Sequence, residues 1–256
     1  MSNHEEMNGE RSEIKKAAPG WLLQIFIHPK QVLSEILSRP KPLWLWPVLI
    51  LTLLAILRIM VSGPIRVQAA QMNTAIPPDF EYYTPEQQMQ FQSAMAVSRG
   101  PVMVYLLPGL AAVAGVWIDW FLMGAILHLA LTLNGIRSSN ASTMNLAAWA
   151  SLPLALREIV RILGILITHS VIKSPGLSGF AGGGFAAALL ARIDLYFLWQ
   201  SALILLGALQ ISSVARTKTW AVTLITILIV TVLLSIPAFL LAKLSSIGSV
   251  TPFLMF

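Results

Sequence analysis

Five stretches of the chain are apolar enough to cross a membrane, at about 43–63, 103–133, 145–169, 188–211 and 220–242. Each meets the roughly 20 residues that an α-helix needs to cross a hydrocarbon core about 30 Å thick. The polar intervals between them fall at 64–100, 134–144, 170–187 and 212–219. The pattern predicts an all-α, polytopic membrane protein whose five transmembrane helices fill residues 43–242. The second stretch is longer than a crossing requires, so it must tilt, project or kink near Pro108. Pro153 lies inside the third, where a local kink is expected.

The segments outside the spans have patterns of their own. Residues 1–18 are rich in Glu, Arg and Lys with few large apolar groups, and read as a disordered tail. Residues 19–42 form an amphipathic interfacial segment. Within it Pro29 can open a helix that puts Val32, Leu33, Ile36 and Leu37 on one face and Lys30, Gln31, Ser34 and Glu35 elsewhere. Such a helix either lies in the interface plane or packs on the ends of the spans, and the two are compatible. In the first polar interval, Thr84-Pro85-Glu86-Gln87 is a helix start, predicting a short helix to about Ser98. Residues 170–187 read as a glycine-rich loop, and 243–256 as a short C-terminal tail.

Composition supports the membrane assignment: 56% of residues are hydrophobic and 11% charged, against about 25% charged in soluble domains. The net charge of +6 could point to nucleic acid in a soluble protein. Here the basic residues sit at span ends, which fits topology and anionic headgroups instead, so no nucleic-acid partner is expected. Nine Lys and Arg fall in the N-terminal region and the second and fourth loops, against four in the first and third loops and the C-terminal tail. The chain should therefore sit in a cell (inner) membrane with its N-terminus cytoplasmic and its C-terminus extracytoplasmic.

Seven charged residues fall inside the spans: Arg58, Asp119, Arg157, Glu158, Arg161, Arg192 and Asp194. At bilayer depth each costs about 2.5–3.5 kcal/mol on insertion scales unless a partner neutralises it. Glu158 and Arg161 are three apart and share a helix face, whereas the adjacent Arg157 and Glu158 should diverge. The simplest neutral arrangement pairs Glu158 with Arg161, Asp119 with Arg157, and Asp194 with Arg58 or Arg192. One arginine is then left to snorkel. The cluster either fixes which helix sits beside which or lines a polar cavity for an anionic headgroup or an ion.

Catalytic motifs give little. Gly176-Leu177-Ser178-Gly179 matches the GxSG of rhomboid proteases, but no His follows His169 to serve the serine. The glycines lack the GK[ST] ending of a phosphate-binding loop. His4, His28, His128 and His169 show no metal-ligand spacing, and cysteine is absent. No catalytic residue, metal or cofactor is expected.

Several short motifs, in order, resemble the prokaryotic Yip-domain (Ypt/Rab-interacting protein) family. They are Ile25-Phe26-Ile27-His28-Pro29, Arg39-Pro40 before a Trp-rich span, Leu107-Pro108 with Trp117, Ala148-Trp149-Ala150-Ser151-Leu152-Pro153, and Asp194 with Trp199 and Gly207. The resemblance covers about residues 20–242, implies five spans and a cytoplasmic N-terminus, and supplies no activity of its own. Eukaryotic members bind Rab-type GTPases in vesicle traffic. This chain lacks their long N-terminal domain and their DLYGP motif, so that role is not carried over. The expected function is membrane organisation or service as a partner-binding subunit, with membrane lipids and a second membrane protein as partners. The sequence sets no oligomeric state. The alternative is a transporter, channel or lipid-translocating protein that uses the intramembrane cluster.

Overall fold

The computed structural model describes residues 20–39, 41–72, 80–172 and 174–247. The expected tail at 1–18, and residues 248–256 of the C-terminal tail, lie outside them. Among the described residues there are helices and turns and no strand. Helix α1 spans 20–27 and α2 spans Pro29–Ser38 with its proline in the first turn, where the missing N–H costs nothing. Val32, Leu33 and Ile36 of α2 are buried, with Trp21 and Ile25 of α1, in the main core. Leu23 and Ile27 of α1 face outward. Helix α2 packs against two helices of the bundle.

The bundle begins with α3 (Leu45–Met72), which continues through Pro64 instead of ending near Gly63. Helix α4 (Pro85–Ser98) follows the polar interval. Thr84 and Gln87 close a reciprocal capping box at its start, as the sequence predicts. A π-helical turn at Val102–Leu106 then leads into α5 (Leu107–Leu133). Pro108 cannot donate to the carbonyl four residues back, and the wider turn, with Leu107 N–H reaching Val102 O, accommodates that gap.

The third apolar stretch is broken, not kinked. Helix α6 (Asn140–Ala150) ends at Ser151, whose hydroxyl donates to Ala148 O at 2.6 Å. Helix α7 (Leu152–Thr168) then starts with Pro153 in its first turn. The fourth stretch is also broken: α8 (Gly184–Leu190) and α9 (Leu195–Ile211) meet at a bend of 66°. Helix α10 (Arg216–Ile247) closes the fold.

Leu45–Ala69, Val102–Leu133 and Arg216–Lys243 are long and apolar enough to cross a membrane alone, and the bent α8–α9 pair makes a fourth. The α6–α7 stretch falls short of that measure. Its longer piece has 17 residues and carries Arg157, Glu158 and Arg161. Three to four spans are thus evident where the apolar pattern predicts five.

Helix α6 is the hub. Every residue from Thr143 to Ala150 is buried, with α5, α9 and α2 packed around them. Small residues permit this closeness. At Gly207 of α9 a side-chain carbon would run into Leu146, and at Gly124 of α5 it would run into Met144. The outer surface is apolar, with Leu53 and Met60 of α3, Phe121 and Leu129 of α5, and Leu224 and Leu228 of α10 exposed. That is the surface of a protein solvated by lipid.

Candidate functional site

The buried face of α7 carries Leu154, Ala155, Glu158, Ile162 and Ile165, so Glu158 points inward with the apolar residues. Its side chain is only 9% exposed. Three arginines reach it. Arg58 of α3 places Nε 2.6 Å from Oε2. Arg161 places Nη1 3.1 Å from Oε1, one helical turn on. Arg157 places Nε 3.6 Å from Oε1, an ionic contact without a hydrogen bond. The expected Glu158–Arg161 pair is present. Arg157 and Glu158 also approach each other, which corrects the expectation that neighbours on a helix diverge: both side chains are long enough to fold toward one point.

The remaining pairs are redistributed. Arg157 Nη1 lies 3.5 Å from Asp194 Oδ2, and Arg192 Nη2 lies 3.6 Å from Asp119 Oδ1. Asp119 is therefore paired with Arg192, not Arg157, and Asp194 with Arg157, not with Arg58 or Arg192. No arginine of the set is left over. Arg192 also donates from Nη1 to Leu234 O of α10 at 3.4 Å. Two groups result. Arg58, Arg157, Glu158, Arg161 and Asp194 link α3, α7 and the start of α9, and Asp119 and Arg192 link α5 to the α8–α9 bend. Three guanidiniums on two carboxylates leave the first group with one positive charge.

The bend explains the exchange of partners. Asp194 is the N-cap of α9, accepting from Phe197 N at 2.9 Å through Oδ1 while Oδ2 faces Arg157. The glycine-rich loop serves the same bend. Leu177 N donates to Leu190 O at 2.9 Å and to Ile193 O at 3.1 Å, satisfying carbonyls that the broken helix frees. Gly176, at φ +58°, lies against the carbonyls of Leu190, Ala191 and Ile193, where a side chain would not fit. Ser178 donates its hydroxyl to Pro175 O at 2.7 Å, so it is a turn residue and not a poised nucleophile.

A second polar cluster escaped the sequence reasoning. Asn145 of α6 accepts from Leu43 N at 2.7 Å and donates to Lys41 O at 3.0 Å. Trp149 Nε1 donates to Leu43 O at 3.1 Å. These bonds fasten the chain between α2 and α3 onto the hub. The only signal in the sequence is an Asn and a Trp within an otherwise small-residue stretch.

The family model for the Yip1 domain matches residues 23–239, most of the chain. The chain belongs to the Yip1 family. No curated protein and no solved structure matches the chain. Several residues behind the resemblance prove to be packing residues of this Yip1 domain. Trp117 packs edge-on to Trp44, which also stacks on Trp120 at 4.3 Å between ring centres. Trp199 meets Phe26 of α1 at 5.3 Å, and Trp149 meets Trp21 at 5.8 Å. Trp44 is thus turned into the bundle, whereas Trp46 is exposed as an interfacial belt residue would be.

Proposed function

We propose that this Yip1-domain protein is a non-enzymatic, multi-pass membrane protein that organises the membrane or binds a partner subunit. In this reading it crosses a cell (inner) membrane five times, with α6–α7 and α8–α9 as broken spans. Its N-terminus is cytoplasmic and its C-terminus extracytoplasmic. The observation that carries the reading is the pairing of every intramembrane acid with an arginine from another segment: Glu158 with Arg58, Asp194 with Arg157, and Asp119 with Arg192. The charges are spent on holding helices together. Neither of two cavities on the molecule, one apolar and one polar, is lined by a residue of that network.

An outward contact surface remains. An apolar groove of about 380 Å³ lies between α3 and the π-turn, lined by Ile59, Met60, Val102, Tyr105, Leu106 and their neighbours. Tyr105 packs on Gly63, which keeps the two segments in register. The test is photocrosslinking from Met60 or Leu106 in native membranes, with Leu228 on the lipid-facing side of α10 as control. A discrete protein adduct from the groove and none from Leu228 supports partner binding. Ion or lipid flux in proteoliposomes that Glu158→Gln abolishes would overturn the reading in favour of transport.

A further inference from the structure

The paired charges do not cancel. Arg58 takes Glu158 Oε2 at 2.6 Å, and Arg157 takes Asp194 Oδ2 at 3.5 Å. Arg161, 3.1 Å from Glu158 Oε1, shares that oxygen with Arg157 Nε at 3.6 Å. Among the described residues, Glu158 and Asp194 are the acids in contact with these three guanidiniums. The second group, Asp119 with Arg192, is neutral by itself and supplies no spare acid. A guanidinium stays protonated in a protein, so the surplus charge is not shed as a proton. Left uncompensated within a membrane-spanning segment, such a charge is costly. An anion from outside the chain removes that cost.

The geometry leaves room for one beside Arg161. This side chain donates from Nη1 to Glu158, while its Nε and Nη2 have no acceptor among the described residues and are not enclosed. It is 22% exposed, and that of Arg58 26%. Gly164 lies three residues beyond Arg161 on the same side of α7, and a side-chain carbon placed there would meet no atom within 4 Å. Thr168, one turn further, is exposed at the helix end. The side of α7 that carries Arg161 therefore runs open from the surplus charge to the end of the helix.

We infer that the Arg58–Arg161 edge of this charge centre binds a phosphate group. The planar guanidinium fork meets two phosphate oxygens at once, and its charge answers theirs. The surroundings favour a phospholipid as the source. Leu57 beside Arg58, and Val160 and Leu163 beside Arg161, are exposed apolar side chains. A headgroup drawn in along the open side of α7 would keep its acyl chains against them. The bound anion completes the pairing and opens no path across the membrane. The inference goes beyond the proposed function and does not depend on whether the groove between α3 and the π-turn takes a partner.

The full-length protein in detergent micelles, titrated separately with phosphatidic acid, phosphatidylcholine, inorganic phosphate and chloride at matched ionic strength, tests this. Native mass spectrometry reads lipid retention, and the melting temperature reads all four ligands. The wild type should retain one phosphatidic acid in preference to phosphatidylcholine, and melt higher with it. Arg161→Gln makes the centre neutral and should weaken that binding by at least about tenfold. Without lipid it should melt no lower than Arg58→Gln, which breaks the 2.6 Å pair. Arg216→Gln, which removes the same charge from the start of α10, should bind within about twofold of the wild type. Protection by inorganic phosphate that Arg161→Gln removes, without retention of phosphatidic acid, would identify a soluble phosphate as the ligand. No retention or protection of the wild type by either phosphate, binding unaffected by Arg161→Gln, an equal loss on Arg216→Gln, or protection by chloride as large as by phosphate would overturn the inference. So would an Arg161→Gln protein that fails to fold or melts below Arg58→Gln, because the charge would then be used within the bundle.

Discussion

Replacing Glu158 by Gln removes one charge and almost no volume, yet it takes the shared anion from three arginines. Arg58, Arg161 and Arg157 lie 2.6, 3.1 and 3.6 Å from its oxygens and would be left facing one another. Two unit charges about 4 Å apart interact by roughly 4 kcal/mol at an effective dielectric constant near 20. Breaking a buried pair by removing one partner costs about 3–5 kcal/mol. The three arginine side chains are 26%, 22% and 21% exposed, which screens them and moves the expectation to the low end of that range. Glu158→Gln should therefore destabilise the fold by about 3 kcal/mol. Arg58→Gln alone should cost less, because Glu158 keeps two cations. The double variant Arg58→Gln/Glu158→Gln should be milder than the sum of the singles by at least about 1 kcal/mol. Reversible unfolding of the purified protein in mixed micelles, with sodium dodecyl sulfate as denaturant, measures all three. A cost of under about 0.5 kcal/mol for Glu158→Gln, or strict additivity, would refute the reasoning.

Further outcomes follow from other parts of the fold. Asn145→Leu removes both bonds to the 41–43 segment, and hydrogen exchange should then rise across α1 and α2 while α9 stays protected. Gly207→Ala forces a methyl into Leu146 at the hub and should cost about 1–3 kcal/mol in the same unfolding assay. Gly176→Ala, at positive φ against three carbonyls, should cost about 1–2 kcal/mol and loosen the α8–α9 bend, read as faster exchange at Leu177 N–H. Because the chain has no cysteine, single-cysteine variants report sidedness directly. A membrane-impermeant maleimide applied to intact cells should label Glu86→Cys and spare Arg137→Cys, and the reverse would contradict the proposed orientation.

The apolar runs made the helices legible, and local rules made some ends legible too. Pro29 and the Val32, Leu33, Ile36 spacing located α2 and its buried face, and Thr84 with Gln87 fixed the start of α4. All seven charges of the two paired groups could be named, and one pair, Glu158 with Arg161, follows from their spacing alone. The α8–α9 break was not legible, because the group that satisfies it is distant in sequence. The carbonyls freed at Leu190 and Ile193 are met by Leu177 N. The other partners were misassigned for the same reason. The neutral arrangement drawn from the sequence takes each span as one straight helix, and the bend before Asp194 places Arg192 at Asp119 and Asp194 at Arg157. Asn145 and Trp149 act on backbone groups of Lys41 and Leu43, which no side-chain pattern reveals.

The claim that opposite charges set helix neighbours is tested most directly by exchanging the partners of the isolated pair. Asp119→Arg and Arg192→Asp should each reduce the yield of folded, membrane-inserted protein. Asp119→Arg/Arg192→Asp together should restore most of it, whereas Asp119→Arg/Arg157→Asp should not. A double exchange at 119 and 192 that folds no better than the worse single variant, or rescue through position 157 instead, would contradict the pairing described here.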